Sequence, residues 1–225
     1  MQRINFKLLL ILLVGIGLAG GGLYALRKLQ ISRNAEGKFE LAKQRLAEGK
    51  AAEAMDLLGQ YVALRPDDDD AFAEYSKLLL ARAMAPGARR SDIDRAFGAL
   101  EAAVRRKPED DALRLELASF QVRVGRASDA LDHLNVLEER LGNPSSGTEE
   151  TLETAQRVQL LKASSYLTSS DFEQAATIVA RLIGYDLAER RFTQAADTSI
   201  APSDAYVMLA AILQERMSSP DDARD

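Results

Sequence analysis

A chain of 225 residues, 47% hydrophobic and 28% charged, has the balance of a folded protein rather than a disordered one, and is long enough for one or two domains. Its formal net charge of -5 argues against nucleic acid as a partner, because phosphate binding needs a clustered positive field. It has no cysteine, which excludes disulfides, thiolate metal sites and a lipid-modified cysteine, and its wealth of Ala, Leu, Glu and Arg favours helix over strand.

Residues 1–7 form a short tail containing Arg3 and Lys7. Leu8 to Leu26 is then an uncharged, largely aliphatic run of about 19 residues, close to the roughly 20 that a helix needs to cross a hydrocarbon core. A transmembrane helix over 8–26 is the expectation. A cleavable signal peptide could exit at Gly17-Leu18-Ala19, but the apolar run continues through Leu23, Tyr24 and Leu26. Gly15, Gly17 and Gly20 also spell the outline of a dinucleotide-binding loop. That motif needs a second strand carrying the acidic residue, whereas Glu40 lies in helically spaced sequence and no β-branched run follows. The glycines suit a membrane helix instead: Gly15/Ala19 and Gly17/Gly21 are four apart, a spacing that allows self-association. Cations flank both ends, so the positive-inside rule discriminates weakly. The short tail before a large following domain favours a signal-anchor with that domain exported to the periplasmic or extracytoplasmic side.

From Ala35 a pattern recurs: a small residue in a first helix, a Gly or Ser turn, an alanine beyond it, large apolar residues at helical spacing, and a closing Pro. The copies span about 35–68, 69–110, 111–141 and 152–183. In the first these positions are Ala42, Gly49, Ala54, Leu58, Tyr61 and Pro66; in the second, Ser76, Ser91, Ala96, Leu100, Ala103 and Pro108, with an insertion at 85–90. The third carries Ala118, Gly125, Ala130, Leu134 and Leu137, and a Gly- and Ser-rich loop at 142–148 stands where the repeat's closing proline is expected. The fourth has Ala163, Tyr166, Ser170, Ala175, Val179 and Leu182. The second alanines stand 42, 34 and 45 residues apart, which places insertions in turns, where stacked repeats tolerate them.

These residues resemble the tetratricopeptide repeat (TPR), a degenerate unit of two antiparallel helices. The family's Trp is missing; Lys38, Phe72 and Arg114 stand in its place. The resemblance implies an all-α fold, a right-handed α-solenoid of antiparallel helix pairs behind the membrane helix. It also implies that first helices line a groove for a peptide or helix of another protein. Carried across, the groove positions are Phe39, Lys43, Lys77, Leu115, Ser119, Arg123, Leu160 and Ser164, and the three cations would attract an acidic segment. The family's chaperone-tail clamp also uses asparagines, and none stands here.

Residues 184–201 show no consistent helical face and read as an irregular connection, with Tyr185 and Phe192 available to pack across the repeats. Residues 202–225 read as the start of a fifth repeat: Ser203 caps a first helix, and Ser219-Pro220-Asp221-Asp222 opens a second. The pattern implies that the repeats continue.

Chemistry is hard to find. His133 is the one histidine and is expected to be solvated, and no Gly-x-Ser-x-Gly motif occurs, so neither a catalytic residue nor a metal site is expected. Asp67 to Asp70 lacks the Gly and distal Glu of a calcium loop and suits a helix start. No cofactor is expected. The expected function is a membrane-anchored, non-catalytic scaffold for other proteins; the alternatives are a substrate-docking arm of a larger enzyme and an element that stacks with itself.

Overall fold

The computed structural model describes residues 33–142, 148–193 and 203–218. The expected membrane helix at 8–26 and the helix start at Ser219 lie outside them. No helix among the described residues is long and apolar enough to cross a membrane. The chain divides into two compact units, one through Ala99 and one from Leu100.

The first unit holds α1 (33–47), α2 (Ala51–Leu64), α3 (Asp69–Ala83) and most of α4 (Arg90–Arg106). The reversal from α1 to α2 turns on Gly49, whose φ of 74° is a left-handed conformation that costs a side-chain-bearing residue energy. Lys50 N–H donates to the Arg45 carbonyl and Gly49 N–H to that of Leu46, closing the end of α1. Ala35, Tyr61, Val62 and Ala71 form the buried centre here, with Phe39, Phe72 and Tyr75 against it.

The second unit holds the end of α4, then α5 (Asp111–Arg123), α6 (Ala127–Leu141), α7 (Glu149–Thr168), α8 (Phe172–Ile183) and α9 (Ser203–Ser218). Gly125, at φ 81°, repeats the Gly49 device, with Arg126 N–H on the Gln121 carbonyl. From α5 to α9 consecutive helices pack on one another, and α5 also packs on α7, so two first helices lie side by side. Ala118 and Ala130 are sealed with Leu134, Leu137 and Val158 in one core cluster. Ala163 and Ala175 are sealed with Val179, Ile183, Ala205, Leu209 and Ile212 in the next. An alanine on each face lets the helix axes approach, and the large residues one and two turns later fill the space that is left.

Two junctions share a design. In Arg65-Pro66-Asp67-Asp68 and Lys107-Pro108-Glu109-Asp110 the proline stops the preceding helix from continuing. The final aspartate then caps the next: Asp68 accepts from Ala71 N–H at 3.0 Å and Asp110 from Leu113 N–H at 2.9 Å. Ahead of α7, Thr148 takes this capping role, accepting from Thr151 N–H, and the helix starts at Glu149 rather than near residue 152.

Two local expectations change. Ser91 lies inside α4, and Gly87, at φ 80°, supplies the left-handed turn ahead of it. Asp92 accepts from Arg89 N–H and pairs with Arg82, so α4 begins a turn earlier than the Ser91 reading requires. The stretch after Ile183 is not wholly irregular. Tyr185–Asp186 (β1) pairs antiparallel with Arg191–Phe192 (β2), adding a short hairpin to the helical fold. Asp186 builds its turn by accepting from the N–H groups of Ala188 and Glu189, and Thr193 closes it on the Gly184 carbonyl.

Candidate functional site: the first-helix faces

Within the first unit, α1 carries Phe39 and Lys43 and α3 carries Lys77. Phe39 is half-buried, its ring stacked on Tyr61 with centroids 4.7 Å apart, and the Lys43 ammonium lies 4.3 Å from the Phe39 centroid. Neither lysine presents an isolated charge. Lys43 pairs with Glu40 at 3.3 Å and Lys77 with Glu74 at 3.1 Å, each one turn away on its own helix. These pairs flatten the positive field that an acidic ligand would feel. Leu41 and Leu46, both about two-fifths exposed, add apolar surface to α1.

Under this surface, Tyr61 donates to Asp68 at 2.6 Å. That hydrogen bond, with burial, pushes the phenol up to about 12, and the same bond, against burial, holds the Asp68 carboxyl below its usual range. The cap of α3 is thus tied to the end of α2.

In the second unit the structure treats the expected groove residues unequally. Leu115 is buried, joining Ala118 and Val158 in the core. Leu160 is half-buried against the α7–α8–α9 cluster. Ser119 and Ser164 are partly open and Arg123 is exposed. Val207 is 70% exposed and stands two residues after the buried Ala205, as Leu115 stands after Leu113 and Leu160 after Val158. It continues their column on α9. The repeat-packing positions lie deeper: Ala42, Ala54, Ala96, Ala118, Ala130, Ala163 and Ala175 are all buried, while Pro66 and Pro108 sit exposed in turns.

Several functional-looking contacts escape a motif search. Lys162 is buried on α7 and donates at 2.6 Å to Glu138 of α6, which also accepts from Gln159 at 2.6 Å. The Lys162 hydrogen bond holds the Glu138 carboxyl below its usual range. A signal existed: Lys162 precedes the small Ala163 as Leu41, Tyr75 and Leu117 precede theirs, a charge in an otherwise apolar column. His133 is half-buried rather than solvated, its Nδ1 lying 3.4 Å from the Arg114 guanidinium. Burial, then Arg114, pushes its imidazole below the ordinary value. Beside α9, Tyr185, Phe192 and Tyr206 cluster, with centroid separations of 5.1 and 6.2 Å. Among the described residues no three His, Cys, Asp or Glu side chains gather as a metal would need.

No protein-family model matches the chain, and no curated protein matches it. Solved structures do. MamA from Desulfovibrio magneticus RS-1, from residue 41 to its end, superposes with a TM-score of 0.52 at 13% identity, covering 83% of this chain and 97% of that one. A double mutant of MamA RS-1 gives the same TM-score at 12% identity, covering 83% and 98%. The thermophilic TPR protein TTC0263 of Thermus thermophilus aligns at a TM-score of 0.41 and 18% identity, over 89% and 96%. At such identity the MamA likeness is one of fold: helical hairpins in series, the arrangement that the TPR resemblance implies.

Proposed function

We propose that the chain is a membrane-anchored TPR-type scaffold that holds a peptide or helix of another protein on the faces of its first helices. The observation that carries this reading is the side-by-side packing of α5 and α7. It leaves Ser119, Arg123 and Ser164 at the surface while the alanines behind them are sealed. Open polar positions between half-buried apolar ones, on a rigid packed wall, suit recognition of an amphipathic segment. With the in-helix pairs on Lys43 and Lys77, apolar contact and Arg123 carry more of the recognition than a positive field does.

The apolar run at 8–26 supports the anchor, and the short tail before it supports export of the repeats. Full-length chain purified in detergent, used as bait against membrane extract, tests the wall. Arg123→Glu combined with Ser164→Trp should remove partner proteins that the unmodified chain recovers, with the circular dichroism unchanged. Undiminished recovery would remove these faces from consideration. Extraction at alkaline carbonate tests the anchor: the chain should stay in the pellet, and its release would exclude 8–26 as a span.

A further inference from the structure

A second device lies away from the first-helix faces, where the turn between α4 and α5 meets α6. The carbonyl of Pro108 accepts from two guanidinium groups, Arg114 Nη2 at 2.8 Å and Arg140 Nη1 at 3.0 Å. Arg140, on α6, also binds Asp111 at 2.8 Å and Glu109 at 3.3 Å. Arg114, on α5, stands where the repeat family would place a Trp, and its Nη1 lies 3.4 Å from Nδ1 of His133 on α6. A guanidinium only donates, so Nδ1 is the acceptor and the ring proton sits on Nε2. Arg140 thus ties the proline turn to α6, and Arg114 bridges that turn to the His133 imidazole.

We propose that this cluster is a proton-sensitive clamp: protonation of His133 places a second cation and a second donor against Arg114, which releases the Pro108 carbonyl and loosens the turn from α6. The groups facing the imidazole are Arg114 from α5, Glu101 from α4, and Asp129 and Asp132 from α6 itself. Burial, the largest effect, and Arg114 oppose the imidazolium while the three carboxylates favour it, and the balance holds the imidazole below its ordinary value. Because its folded pKa is depressed, the folded chain binds the proton less readily than the unfolded chain. The clamp's contribution is complete above the ordinary imidazole value of about 6.5 and declines as pH falls through it. On acidification Arg140 keeps the turn attached through Asp111 and Glu109, so the turn loosens while the fold persists.

His133 is the only histidine, so its response can be read without ambiguity. Imidazole proton resonances of the full chain in detergent should titrate below the ordinary value, and Arg114→Met should move the midpoint upward. The Tm of the unmodified chain should drop by about 2 °C or more between pH 7.5 and 5.5. His133→Gln, which keeps a neutral polar group there, should abolish most of that drop. A midpoint at or above the ordinary value would overturn the proposal, as would an equal drop in the glutamine variant. If His133→Gln does not fold, the titration of the unmodified chain and of Arg114→Met decides alone.

Discussion

The junctions on the two sides of the third hairpin solve the same problem differently. Before it, the proline turn at 107–110 is closed by backbone and capping hydrogen bonds, and the same sequence device at 65–68 joins α2 to α3. After it, α6 is tied to α7 by a charge pair: the buried Lys162 reaching the half-exposed Glu138. The proline junction at 107–110 divides its strength among several contacts: the Asp110 cap, the backbone bond from Asp110 N–H to the Lys107 carbonyl, and Arg114 and Arg140 on the turn. A long-range ion pair concentrates it in one, and makes the two partners unequal.

That inequality yields the largest expected effect. Glu138→Ala strands a buried ammonium and should cost about 2–3 kcal/mol in a urea melt, below the fully buried range because Glu138 is partly solvated. Lys162→Met should be near neutral, since the freed carboxylate rehydrates and methionine suits a position held by Leu117 in the preceding hairpin. Equal losses would show that the pair acts symmetrically and break the contrast.

At the proline junctions, Asp110→Ala should cost about 1 kcal/mol as a lost cap. Asp68→Ala should cost more, because it also removes the acceptor for the Tyr61 hydroxyl. The same bond sets a pH dependence. Asp68 and Glu138 both have folded pKa values below their ordinary ones, so their stabilisation is present above about pH 4 and is lost as pH falls further. Tyr61→Phe should flatten part of that acid limb in melts recorded between pH 5 and 2.5; an unchanged limb would detach Tyr61 from it. A comparably small effect is expected at Lys43→Ala, an exposed pair, where the melt should move by less than about 0.5 kcal/mol.

The helices and their packing alanines were legible because small and large apolar residues recur at helical spacing, and Gly49 and Gly125 mark their turns with a residue that the left-handed backbone requires. Ser91 misled because a serine at a repeat-matched position can equally begin a helix; Gly87, inside an apparent insertion, carried the turn. The hairpin at 185–192 was hidden because two residues per strand show no alternation, and its signal lay in Gly184 and the Asp186 turn. Of the groove residues, the surface exposure of Ser119, Arg123 and Ser164 follows from helix phase. The burial of Leu115, the neutralised Lys43 and Lys77, and the His133–Arg114 contact do not, since each depends on partners a turn or a helix away.

The claim that first helices present the binding face is tested most directly by site-specific photocrosslinking of the full chain in its membrane. A crosslinker at Ser119 or Ser164 should yield discrete protein adducts, while one at the exposed Glu139 of α6 or Thr177 of α8 should yield none. Adducts at the second-helix positions, with Ser119 and Ser164 silent, would contradict it.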